Sequence, residues 1–203
     1  MSSIKISLQA LRKLREMTGV GMQDAQNALQ ESGGDIAEAH KLLRKRGVAR
    51  AAKKSSRAAK DGIIDCYVHG TKVGVMIEVN CETDFVAKTP DFKSLVHELA
   101  LQIAGASPRY VSREQVPASI IESERAIYRA QSASEKKPAN VQEKIVEGKL
   151  EKFYQETCLL EQPSIKDPKV KVGTIITDAV AKLGENIVVS RFVRYQLGEE
   201  FGN

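Results

Sequence analysis

The stretch "IIDCYVHGTKVGVMIEVN", Ile63 to Asn80, decides the fold class. Two β-rich runs, Ile63–His69 and Val73–Asn80, flank "GTK", and Gly70 is available for the turn. That pattern is a hairpin signal. Side chains alternate along a strand, so Val73, Val75, Ile77 and Val79 share one face of the second run. In the first run Ile64, Cys66 and Val68 share a face, opposed by Ile63 and Tyr67. Apolar groups thus sit on both faces, and the pattern places Cys66 in the core.

Working towards the C-terminus, "CETDFVAKTPDF" (Cys81–Phe92) puts Phe85 in a connector, although the chain has only five Phe and no Trp. Helix signals begin at Thr89, an N-cap, with Pro90 at the first helical position. Phe92, Leu95, Val96, Leu99 and Ile103 then form a helical stripe that Gly105 stops. Residues 119–162 read as two helices around "QSASEKKPAN". Ile120, Ile121, Ile127 and Tyr128 form one stripe, and Leu150, Phe153, Tyr154 and Cys158 much of the other. Gly148 weakens the middle of the second by about 1 kcal/mol relative to Ala, which leaves room for a bend. Ile175, Ile176, Ala179, Val180 and Leu183 mark a further helix ended by Gly184, and Asn186–Leu197 reads as a strand returning to the hairpin. The expectation is an α+β fold, a small antiparallel sheet of about three strands packed by helices.

Towards the N-terminus the pattern is helical only. Leu8, Leu11 and Leu14 recur at helical spacing behind Ser7, an N-cap, and "TGVG" (Thr18–Gly21) interrupts them. Met22, Ala25, Ala28 and Leu29 form a second stripe, closed by Gly33 and Gly34. Asp35 caps a third helix, with Ile36, Ala39, Leu42 and Leu43 inward and Gly47 at its end. "VARAAKKSSRAAKDG" (Val48–Gly62) fits either a helical extension or a tether. These signals divide the chain into a three-helix partner-binding module with its linker, residues 1–55, and an α+β core, residues 56–203.

Of the 203 residues 42% are hydrophobic and 28% charged, ordinary for a soluble globular protein. No apolar run reaches the roughly 18 to 20 residues that cross a bilayer, and the charged N-terminus lacks the apolar core of a signal peptide. A cytoplasmic protein without membrane contact is expected. Three scattered cysteines fit a reducing compartment. Nine Lys or Arg and no acid lie between Lys41 and Lys60, a local field for an acidic protein face, RNA or water.

Catalysis finds little support. Cys66 with His69, or Cys81 with His97, lacks an orienting third group. The His and Cys residues have no zinc spacing, and Asp61, Asp65, Glu78, Glu82 and Asp84 lack the spacing of a calcium loop. Gly19 and Gly21 follow no strand and make no phosphate loop, so neither a metal, a cofactor nor a directly bound nucleotide is expected. Binding by small exposed features remains. One is "LREMTGVGMQD" (Leu14–Asp24), where Met22 serves either a partner or the module's own core. The other is "ETDFVA", in which Asp84 makes either a partner contact or a local cap.

"LREMTGVGMQDAQNAL", "EVNCETDFVA", "KIVEGKLEKFYQETCLLEQP" and "KLGENIVVSRFVRYQLGE" occur in this order, and from about Ile6 to Gly198 the chain resembles the elongation factor Ts family in a short, single-core bacterial-type form. The resemblance implies a guanine-nucleotide exchange factor, not an enzyme, acting on the GTPase elongation factor Tu in translation. It implies that Arg15, Gly19, Val20, Gly21 and Met22 touch the GTPase's nucleotide-binding domain. Many relatives carry two methionines where this chain has Met22 and Gln23, so Gln23 is expected to make a polar contact instead. Thr83, Asp84, Phe85 and Val86 match the family segment that intrudes on the Mg²⁺ and phosphate side of the nucleotide site. Longer relatives hold two related core halves, and the single core here suggests a homodimer. An RNA-binding protein using Lys41–Lys60 is the main rival, but no aromatic residue lies in that run, so nucleic acid is not the expected partner. A Cys81 nucleophile is the remote one.

Overall fold

The structure, a computed structural model, describes residues 6–133 and 138–199. The hairpin forms as its sequence predicts. Strands β1 (Asp61–His69) and β2 (Val73–Cys81) meet at a tight turn, where the Lys72 N–H donates to the His69 carbonyl at 3.1 Å. Gly70 and Thr71 both take positive φ there, 52° and 61°. Strand β3 (Val188–Gln196) completes an antiparallel sheet in the order β1-β2-β3, so the hairpin's second strand is central. With its helical N-terminal region the fold is α+β, as expected.

The chain divides into two compact units. The first comprises the residues up to Ile63, Asn80–Leu95 and Ile176–Val188. It opens with three helices: α1 (Leu8–Thr18), α2 (Met22–Glu31) and α3 (Ile36–Lys54). Ser7 accepts from the Ala10 N–H at 3.0 Å and caps α1, while Gly19, at φ 65°, ends it. Asp35 accepts from the Ala37 and Glu38 N–H groups and caps α3. Leu14, Ala25, Ala28, Leu29, Ala39 and Leu43 form the core between the three helices. Leu8 stays largely exposed.

Helix α3 corrects the sequence reading, because it does not stop at Gly47 but runs on to Lys54. Alanines with high helix propensity carry it forward. Gly47 is buried, and a Cβ there would lie 3.2 Å from the Ala181 Cβ, so it marks a close approach rather than a helix end. Ala181 belongs to α8 (Val172–Leu183), whose later turns lie in this unit and end at Gly184, φ 80°. The short helix α4 (Asp84–Ala87) and the first turns of α5 (Pro90–Ala106) complete it, with Phe92 fully buried and its N–H donating to the Thr89 hydroxyl at 3.3 Å. Helix α5 ends one residue later than predicted, before Ser107 at φ 48°.

The second unit comprises Ile64–Val79, Val96–Ile175 and the chain from Val189. Val75, Ile77 and Val79 of β2 and Val96, Leu99 and Ile103 of α5 are all buried, as their periodicities predict. Helices α6 (Ala118–Ala133) and α7 (Ala139–Thr157) lie against each other around Val116, Leu150, Phe153 and Cys158. Ile127, counted in the α6 stripe, is exposed instead, and α7 continues through Gly148. Residues 134–137 of the connecting loop fall outside the described residues.

Cys66 is a second correction: it is exposed, and so are Ile64 and Val68 on the same strand face. Ile64, Met76, Glu78 and Val193 line a surface groove of about 280 Å³. The alternation holds, but the face turned inward is the opposite one from that expected. Half-buried Ile63, Asp65 and Tyr67 occupy the other side of β1, where Asp65 pairs with His97 at 3.0 Å.

Candidate functional site

Strand β2 ends at Cys81, whose buried thiol donates to the Thr83 carbonyl at 3.2 Å. Thr83 is still extended, at φ −134°, and its hydroxyl accepts from the Val86 N–H at 3.5 Å, starting α4. The cap of this turn is therefore Thr83. Asp84 instead pairs with Lys88 one turn later at 2.5 Å, and Lys88 holds its carboxyl below the usual carboxylate range. Ala87 is buried and Val86 half-buried, which turns Phe85 outward. At 79% exposed, Phe85 is among the most accessible large hydrophobic residues described.

What holds this segment comes from the other end of the chain. The Glu185 carboxylate accepts from the Glu82 N–H (3.0 Å), the Thr83 N–H (3.0 Å) and the Thr83 hydroxyl (2.6 Å). Glu82 reciprocates: its carboxylate accepts from the Asn186 N–H at 2.7 Å and faces the Arg57 guanidinium at 3.5 Å. The buried Asn186 side chain donates to the Arg57 carbonyl at 2.8 Å, and Lys54 donates to the Gly184 carbonyl. Hydrogen bonds to ionised groups are stronger than neutral ones, so this is a firm local frame. Sequence reasoning missed Glu185 and Asn186. Gly184 was legible as a helix stop, but nothing marks Glu185, and Asn186 reads only as the start of a strand that in fact begins at Val188.

The N-terminal turn is built differently. Gly19 supplies the left-handed backbone that turns α1 into α2, and the Arg15 Nε donates to the Val20 carbonyl at 3.4 Å. A Cβ on Gly19 would lie 3.0 Å from the Lys182 Cε, and Lys182 pairs with Asp91 at 3.0 Å. Met22, at the start of α2 behind Gly21, is 52% exposed, so its main role is not to fill the module's core. Val20 is half-buried and packs on that core. The Gln23 side-chain amide donates to the Asn27 side-chain oxygen Oδ1 at 3.0 Å. Leu8, Leu11, Arg12, Arg15, Glu16 and Met22 border a groove of about 450 Å³.

The alternative sites are not assembled. The His97 Nδ1 meets Asp65, the His69 Nδ1 meets the Tyr67 hydroxyl at 2.8 Å, and burial pushes the Cys81 thiol up, away from the thiolate a nucleophile needs. Among the described residues no group of three or more His, Cys, Asp or Glu side chains is placed to hold a metal ion. No described helix is long and apolar enough to cross a membrane. Within the basic run, Lys41 pairs with Glu38, Arg46 with Glu31 and Arg50 with Asp24, which tie three of its nine cations to acids of the same module.

Comparison with known proteins concerns nearly the whole chain. A family model described as Elongation factor TS matches residues 7–199. Elongation factor Ts of Carboxydothermus hydrogenoformans is 54% identical over 195 residues, 96% of this chain and 90% of that protein. Its counterpart in Fervidobacterium nodosum is 55% identical over 197 residues, 97% of this chain and 100% of that protein. That of Thermoanaerobacter sp. strain X514 is 53% identical over 195 residues, 96% of each.

Proposed function

The chain belongs to the elongation factor Ts family, and on that premise we propose that it is a guanine-nucleotide exchange factor for elongation factor Tu, acting in the cytoplasm during translation elongation. The observation that carries the reading is Phe85: a large apolar side chain held outward on a short helix whose start is fixed by Thr83 and Glu185. Bound GDP is held jointly by the GTPase phosphate loop and Mg²⁺, so release requires both contacts to weaken. Phe85, with Thr83, Asp84 and Val86 around it, enters the Mg²⁺ and phosphate side of the nucleotide site and disfavours the ion. Arg15, Val20, Met22 and Gln23, on the turn that Gly19 and Gly21 shape, grip the nucleotide-binding domain.

Linkage makes the effect reciprocal: a factor that weakens GDP binding is itself displaced by nucleotide. Each tenfold change needs about 1.4 kcal/mol of differential interaction. Moving a Phe from water into a partner pocket supplies roughly 1.5–3 kcal/mol, one or two decades of exchange. The N-terminal module supplies the remainder, and no bond is made or broken by the factor itself. The test is direct. Elongation factor Tu preloaded with labelled GDP should release it faster when the chain is added, and an unchanged release rate overturns the assignment.

A homodimer is the second part of the reading. Ile64, Val68, Met76 and Val193 are exposed on one sheet face, an apolar surface that a second copy of the same face would cover. Sedimentation at micromolar concentration should give twice the chain mass, and a monomer there removes the dimer without touching the exchange assignment.

A further inference from the structure

Three donors at the strand end of the Thr83–Val86 segment point at one carboxylate. Glu185 accepts two backbone N–H groups and one hydroxyl, at 3.0, 3.0 and 2.6 Å, from residues about a hundred positions earlier in the chain. The Thr83 hydroxyl donates to Glu185 and accepts the Val86 N–H, so one atom both joins the carboxylate and starts the helix that carries Phe85. The Glu82 carboxylate closes the loop by accepting from the Asn186 N–H at 2.7 Å.

We propose that Glu185 is a positioning residue for exchange: it touches no nucleotide, but holds residues 82–86 in the conformation that presents Phe85. This rests on the exchange reading above. A flexible segment would have to be ordered as the GTPase binds, and that ordering opposes binding. A carboxylate suits the task because all three partners are donors. A glutamine amide would keep one oxygen for the two N–H groups but turn its N–H₂ towards the Thr83 hydroxyl. That hydroxyl loses its ionised acceptor and must accept there in competition with the Val86 N–H. Glu185→Gln therefore weakens the frame with almost no change in size.

The test uses the full chain and two readouts. In the free chain, amide hydrogen exchange at Glu82, Thr83 and Val86 should accelerate at least tenfold in Glu185→Gln, while the amides of α1–α3 keep their wild-type rates. In the GDP-release assay Glu185→Gln should be at least tenfold less effective than wild type, but should cost nothing further when added to Phe85→Ala. Loss in the Glu185→Gln chain that persists undiminished in the Phe85→Ala background overturns the proposal, since Glu185 would then act elsewhere. Unchanged amide protection overturns it too. Should Glu185→Gln fail to fold, Thr83→Val, which removes only the hydroxyl, must accelerate exchange at Val86, and Thr83→Ser must restore protection; without that pair of results the proposal falls. A Phe85→Ala chain with full activity would instead remove the Phe85 role on which this rests, even if the amide result holds.

Discussion

A Cβ built on Gly47 would sit 3.2 Å from the Cβ of Ala181, so α3 and α8 approach at a point where only hydrogen fits without adjustment. Gly148, in the middle of α7, has nothing within 4 Å of the same position. The two mid-helix glycines should therefore respond oppositely. Gly148→Ala gains helix propensity and should raise stability by about 1 kcal/mol. Gly47→Leu must displace α8 and should cost about 1–3 kcal/mol. Urea denaturation midpoints decide it, and a Gly47→Leu chain as stable as wild type would show that the contact yields freely.

Gly47 also shows where sequence reading stops. A glycine after a helical stripe has two physical meanings, a left-handed cap or a close approach, and only the neighbouring helix distinguishes them. Period-based features were legible as elements: three N-terminal helices, the hairpin, the Thr89–Pro90 start of α5 and the last strand are all present. Leu8 and Met22 of the stripes are exposed, however, and the last strand is Val188–Gln196 rather than Asn186–Leu197. For Cys66 the alternation was legible, but which face turns inward depends on the layer above the sheet. Phe85 was legible as an exposed anchor because helix signals begin after it. Glu185 was not, because its partners lie more than a hundred residues away in sequence and no periodicity links them.

Arg113 donates to Glu161 at 2.8 Å and to Glu151 at 2.6 Å, and Lys171 adds a bond to Glu161 at 2.9 Å. Arg113, and then Lys171, hold the half-buried Glu161 carboxyl below its ordinary value of 4.5. A carboxyl depressed in the folded state stabilises at pH above its unfolded value, and that contribution is lost as pH falls through the folded value. Arg113→Met should cost about 1–2 kcal/mol at neutral pH, since Glu151 is too exposed to add much. The gap from wild type should close below about pH 4.5. The Arg113 guanidinium also lies over the Tyr154 ring, 4.7 Å from its centroid. Chemical denaturation at several pH values measures the pH dependence, and a constant gap down to pH 3 would assign the loss to that ring contact instead.

The three thiols should separate cleanly. Cys66 is exposed, whereas Cys81 and Cys158 are buried and burial pushes both thiols up. A maleimide at neutral pH should modify one cysteine per native chain quickly and all three only after denaturation, since thiolate and access both govern the rate. Rapid native labelling of Cys81 would contradict the packing at the end of β2. Labelling of Cys66 should also slow as chain concentration rises if the sheet face pairs with a second copy.

Phe85→Ala is the substitution that separates folding from function. Phe85 is 79% exposed, so its removal leaves no cavity, and stability should stay within about 0.5 kcal/mol of wild type. Thr83 still caps α4, Asp84 still pairs with Lys88 and Glu185 still holds the strand end, because none of those contacts uses the ring. Release of GDP from elongation factor Tu should nevertheless slow by ten- to a hundredfold, the rate equivalent of the roughly 1.5–3 kcal/mol that burying the ring supplies. Phe85→Leu, which keeps most of the apolar volume, should recover part of the rate. Met22→Ala, on the N-terminal turn, should weaken association with the GTPase more than it slows release from the saturated complex, because that turn grips rather than intrudes. An unaltered release rate in Phe85→Ala would leave the exposed ring without a role in exchange.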